Sequence, residues 1–128
     1  MAFWQWSKTA GNNATADPSI NFSEGMSPSA LNDSCRAVMA AAASYRDDIS
    51  GSLTTGGTSI AFTLTTNQVL ASTPQTGQLI AFVPHATNGI SPTLTCDSGT
   101  SFPIQSSIGV AVGAGTLVQG TPYTASFS

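Results

Sequence analysis

The stretch Ser27–Gly51, SPSALNDSCRAVMAAAASYRDDISG, decides the reading of this chain. Ser27 suits a helix N-cap and Pro28 a first helical position, because proline lacks only an amide that would be unpaired there anyway. Ala40–Ala43 has the highest helix propensity available. Gly51 stands where a left-handed C-cap is expected. The spacing predicts one helix from Pro28 to Ile49, and 22 residues at 1.5 Å rise give a length of about 33 Å. Leu31, Cys35, Val38, Ala42, Tyr45 and Ile49 are spaced 4, 3, 4, 3, 4, a heptad seam of about two and a half repeats. Such a seam fits a coiled coil with sister helices. It fits equally a single helix lying on the chain's own β core, since helices this short are marginal alone. Asp47 and Asp48 occupy the last turn, where the helix dipole disfavours carboxylates by roughly 0.3–1 kcal/mol each. An offset is expected from Arg36 or Arg46 of a neighbouring chain, or from backbone amides of the loop after Gly51.

Outward from the helix, charge is distributed very unevenly. Of 128 residues only 7% are charged, and after Asp48 the sole formal charge is Asp97. Soluble domains average about 25% charged residues and keep their net charge away from zero. A long neutral stretch is therefore expected to be covered, either by a larger assembly or by copies of itself. Three basic residues and a net charge of −3 argue against nucleic acid, because a row of phosphates needs clustered cations. No run approaches the roughly 18 apolar residues of a membrane span. The N-terminus lacks the basic start of a signal peptide. Cys35 and Cys96 read as small buried residues of a chain made in a reducing cytoplasm.

Residues 1–26 show neither helical nor strand periodicity and are expected to form an extended arm. Its aromatic tip holds Phe3, Trp4 and Trp6, with Ile20 and Phe22 further on. In an extended chain Trp4 and Trp6 point to the same side, poised to enter a partner's pocket. Each ring would bury about 150–250 Å² there. The alternative destination is the chain's own helix. Residues 52–128 read as β structure. Ile60, Phe62 and Leu64 alternate with polar or small residues, and Gln78–Val83 is apolar on both faces. Asn88-Gly89 is a strong hairpin signal, expected to link that strand to Thr93–Cys96. Further strands are expected at Ile104–Ser107, Val110–Val112, Thr116–Val118 and Tyr123–Phe127. The fold class is thus mainly β with one long α-helix: an arm (1–26), an oligomerising helix (27–51) and a small β-sandwich or barrel-like domain (52–128).

No constellation for catalysis stands out. His85 has no acidic cluster and no nucleophile beside it, so a structural role is expected. Asp47 and Asp48 are adjacent on a helix, about 100° apart, and do not converge on one site. The glycines of 109–120 precede no helix, which excludes a dinucleotide loop. No metal or cofactor is expected.

Several segments resemble the N-terminal region of tail-fibre and tail-spike proteins of tailed bacteriophages. They are Ile20-Asn21-Phe22-Ser23-Glu24-Gly25, Ser27 to Ala37, Tyr45 to Gly51, Pro84-His85-Ala86-Thr87-Asn88-Gly89 and Gly120-Thr121-Pro122-Tyr123. The resemblance implies a non-enzymatic virion anchor that forms a homotrimer. It would hold a longer fibre shaft to tail, adaptor or nozzle proteins, and would localise to the virion tail after synthesis in the bacterial host cytoplasm. It favours self-association for the helical seam. Family members commonly run on into a shaft and a receptor-binding tip. This chain reaches Ser128 inside a strand-like segment, as expected of the anchoring part of a longer fibre or of a short virion protein on the same domain. From the residues alone, a carbohydrate- or host-surface-binding β module and a short head or tail decoration protein stay open as alternatives.

Overall fold

The computed structural model describes residues 1–128 and contains one α-helix and several small sheets. The helix, α1, spans Pro28–Ile49. Ser27 caps it as its sequence predicts: the Ser27 hydroxyl accepts from the Ala30 amide at 3.3 Å and the Ser27 carbonyl from the Leu31 amide at 3.2 Å. At the other end, the hydroxyls of Ser50 and Ser52 donate to the Asp47 carbonyl at 3.0 and 3.1 Å. Gly51 follows with φ of +82°, a left-handed conformation that favours glycine, and a Cβ there would sit a tight 3.2 Å from Pro122.

The chain divides into two compact units, Met1–Arg46 and Asp47–Ser128. The segment expected to be a free arm thus shares a unit with most of the helix. It is not extended throughout: it holds two 3-10 helices, Phe3–Gln5 and Ala10–Ala14.

The second unit carries eight short strands: β1 (Gly56–Gly57), β2 (Ala61–Leu64), β3 (Leu79–Phe82), β4 (Thr93–Cys96), β5 (Ser101–Pro103), β6 (Gln105–Ser107), β7 (Val110–Ala111) and β8 (Tyr123–Ser126). They form a four-stranded sheet in the order β1-β2-β4-β5 and two two-stranded sheets, β3-β8 and β6-β7. None closes into a barrel. With 22 residues in α1, the fold mixes helix and sheet instead of being mainly β. Phe62, Ile80 and Phe82, each 1% exposed, centre the core of this unit. Burial of such a side chain contributes about 1.5–3 kcal/mol.

β2, β3, β4, β6, β7 and β8 fall where strands were expected and β1 and β5 do not, and pairing does not follow the expected hairpin. β3 pairs antiparallel with β8, whereas β4 pairs parallel with β2 and antiparallel with β5. Asn88-Gly89 therefore joins no hairpin, and neither residue has the positive φ that a type I′ turn requires. Gly89 is small for another reason: a Cβ there would lie 2.6 Å from the Ile60 side chain. Asn88, 3% exposed, is a buried connector. Its side-chain amide donates to the carbonyls of Gly89 (2.8 Å) and Gly113 (3.0 Å), and its Oδ1 accepts from the Leu117 amide at 2.7 Å. That arrangement holds residues 113–117 as a loop, where a strand over Thr116–Val118 was expected. The primed turn sits instead at Asp97-Ser98, with φ of +51° and +60°, closed by the Gly99 amide on the Cys96 carbonyl at 2.9 Å.

Asp97 and Asp48 grip one segment from two places. Asp97 accepts from the Thr66 amide (2.8 Å), the Thr66 hydroxyl and the Leu70 amide (2.9 Å). Asp48, 0% exposed, accepts on Oδ1 from the Asn67 amide and side chain (2.8 and 2.9 Å), and on Oδ2 from the Gln68 amide and side chain (3.0 and 3.1 Å). Four donors are what allow a carboxylate to be buried without a cation. The dipole cost at this helix end is thus offset within the chain, by backbone amides of residues 67 and 68. Removing the carboxylate leaves those donors buried and unpaired. Asp48→Ala is expected to lower unfolding free energy by about 3 kcal/mol. Asp33→Ala, which removes only an exposed 3.6 Å pair with Arg36, changes it by less than about 0.5 kcal/mol. Urea titration monitored by circular dichroism measures both.

Candidate assembly surfaces

In the first unit the aromatic tip is already engaged. Phe3 stacks on Tyr45 with centroids 4.8 Å apart and tilts against Trp6 at 4.7 Å. The 3-10 turn explains the partnership. Positions i and i+3 eclipse in that geometry, so Phe3 meets Trp6, and Trp4 does not share a side with Trp6 as an extended strand would require. Trp4 and Trp6 are half-buried, Ile20 is 5% exposed and Phe22 is 38% exposed. Of the expected docking residues, Phe22 alone is exposed, and most of its surface is still covered. The rings organise their own unit in place of projecting from it.

Asp17 organises the same unit and was not among the expected site residues. It is 2% exposed, and its Oδ2 accepts from the Ala2 amide and the Trp6 indole N–H, both at 3.3 Å. Its Oδ1 accepts from the Ser19 amide (3.0 Å) and hydroxyl (2.6 Å), and the N-terminal ammonium lies 3.4 Å away. The signal for part of this was local. Asp17-Pro18-Ser19 suits an Asx turn, in which a side-chain oxygen accepts from the amide two residues on.

The helix presents two faces. Ala30, Ser34, Ala37, Ala41, Ser44 and Asp48 form the inward one, with Ser34, Ala41 and Asp48 fully buried. This row runs one residue N-terminal to the expected seam, a rotation of about 100°. Ser34 explains it: its hydroxyl accepts from the Asn21 amide at 3.0 Å and donates to the Asn21 carbonyl at 2.9 Å. The contact is backbone against small side chains, so apolar bulk does not mark it. Of the expected seam, Leu31 (47% exposed), Cys35 and Ala42 stay outside, and Val38, Tyr45 and Ile49 are half-buried. Met39, 72% exposed, widens the outer stripe. Cys35 is exposed, contrary to the expectation that both cysteines are buried. Arg36 and Arg46 are also exposed, Arg36 beside Asp33 and Arg46 in the last turn.

In the second unit, burial and then the carboxylates of Asp97 and Asp48 push the Cys96 thiol up to about 12, which keeps it protonated and unreactive. His85 bridges segments: its ring nitrogens meet the Thr55 hydroxyl at 2.9 Å and the Gly57 carbonyl at 3.1 Å. Since the carbonyl only accepts, Nε2 carries the proton. The ring also stands edge-on to Phe62 at 5.6 Å. An apolar cleft of about 500 Å³ opens between β3-β8 and β4-β5, bordered by the β6-β7 ribbon. No side chain lining it is charged.

No helix is long and apolar enough to cross a membrane. Compared with known proteins, the chain matches no family model, no curated protein and no solved structure.

The acid response of the first unit follows from Asp17. Burial pushes its carboxyl up, but the Ser19 hydroxyl and amide, the Trp6 indole and the N-terminal charge outweigh that and bring it down to about 2. A carboxyl depressed on folding stabilises fully above its unfolded value of about 3.9 and loses that contribution as pH falls through the folded value. Tryptophan emission is therefore expected to shift red between about pH 4 and pH 2. In Asp17→Asn the shift over that window disappears and emission is already red at neutral pH.

Proposed function

We propose that this chain is a structural joint of a phage tail: a non-enzymatic virion protein that self-associates along the outer stripe of α1, most simply as a homotrimer. The observation that carries the reading is the stripe itself. Leu31, Cys35, Met39 and Ala42 lie exposed on one face of a 22-residue helix whose opposite face is already occupied. Leaving such a row wet is costly, and burying it between parallel copies is the usual remedy. The neutral composition after Asp48 supports the same reading. Asp97, the one charge there, is consumed by Thr66 and Leu70, so little ionic surface opposes close contact between copies.

In this reading the first unit, compacted by Asp17 and the aromatic cluster, is a preformed block that meets tail, adaptor or nozzle proteins. The second unit works as a sandwich of the four-stranded sheet and β3-β8 that leads into a fibre shaft. The resemblance of Ile20–Gly25, Ser27–Ala37 and Tyr45–Gly51 to phage fibre anchors supplies the biological setting. Many moderate contacts repeated by symmetry suit a mechanical joint better than one strong site.

Light scattering on the purified chain is expected to give the mass of three copies. Mild oxidation is expected to link pairs of chains through Cys35. Leu31→Glu combined with Ala42→Glu is expected to give a folded monomer with unchanged far-ultraviolet dichroism, and to reduce incorporation into tail particles at least tenfold. A wild-type monomer at all concentrations, or full incorporation of the monomeric variant, overturns the reading.

A further inference from the structure

The second unit carries a knob beside a hole. The ribbon β6-β7 pairs with no other strand, and all five of its strand residues are exposed. Near its turn Ile108 is 89% exposed and Val110 53%. A two-stranded ribbon is marginal without a third element against it. Next to it lies the cleft of about 500 Å³, with Phe82, Leu94, Phe102, Val112, Leu117 and Phe127 among its walls and Ile108 also bordering it. The cleft is open to solvent, so an apolar group that enters it removes its own surface and that of the walls from water, at about 25 cal/mol per Å² buried.

We infer that the ribbon of one copy seats Ile108 in the cleft of the next. This rests on the self-association proposed above and adds a contact that the helical stripe does not contain. The occupant must be uncharged, because no side chain lining the cleft can pair with an ion. The segment Gln105–Ala111 meets that condition: it has no charge and ends in an exposed isoleucine. A protruding apolar group of one copy seated in the cleft of another is a heterologous contact, which closes into a ring when the rotation between copies permits. Each copy in a closed trimer then donates one ribbon and receives one. Helix and ribbon would each contribute a contact among the same three chains.

Cysteine pairing tests the contact. Two full-length chains, each with Cys35→Ser, are co-expressed, one with Ile108→Cys and the other with Ser126→Cys at the cleft wall. Mild oxidation is expected to join them as a mixed dimer on a non-reducing gel. Ile108→Asp in the otherwise native chain is expected to weaken association at least tenfold in a dilution series, with dichroism unchanged. A full-mass assembly that cross-links through Cys35 but yields no bond between residues 108 and 126 overturns the ribbon contact and leaves the helical association standing. A monomer with neither cross-link overturns both. A bond that forms only when both cysteines share one chain shows the ribbon closing on its own cleft and likewise overturns the inference.

Discussion

Two carboxylates hold the segment Thr66–Leu70, Asp48 at the end of α1 and Asp97 directly after β4. Together they accept from four backbone amides, two side-chain amides and one hydroxyl. No cation takes part in these bonds. A buried acceptor with all its donors in place is satisfied, and with donors removed it is a liability, so the arrangement is cooperative and specific. It fixes where the last helical turn meets the β unit's loop, and it anchors the Asp97-Ser98 turn that sends β4 into β5. The parallel pairing of β2 with β4 depends on it, because β2 runs directly into the clamped segment and β4 runs directly into Asp97.

The same logic recurs through the chain. Asp17 gathers the N-terminal residues, Ser34 ties α1 to Asn21, Asn88 ties the loop 113–117, and His85 ties Thr55 to Gly57. A chain with small, hydroxyl-rich side chains has limited apolar volume. It organises itself through polar groups that each satisfy several backbone donors or acceptors. That economy leaves larger apolar residues such as Leu31, Met39, Ile90 and Ile108 outside. Exposed apolar groups such as Ile90 and Ile108, in the nearly uncharged second unit, are adhesive.

The distribution of ionic groups follows from this division of labour. Buried carboxylates are spent on internal bonding, so composition overstates the charge available at the surface. After Asp48 the exterior has no formal charge that is not already engaged. Contact with like copies then carries little desolvation penalty, whereas a charged partner would find nothing to pair with.

Local sequence determined the helix and its caps, because Ser27, Pro28 and Gly51 act through neighbours within a turn. It also determined most strand positions, because alternation needs only a buried side and an open one. Tertiary structure decided which helix face turned inward, since Ser34 met a backbone and not an apolar side chain. It decided too that Asn88-Gly89 would bind a distant loop while Asp97-Ser98 made the tight turn. The aromatic tip settled on Tyr45 once a 3-10 turn set Phe3 opposite Trp6. For Ser34 with Asn21, Asn88 with residues 113–117 and Phe3 with Tyr45 the deciding partner lies many residues away, and such contacts leave no periodic trace in the residues that make them.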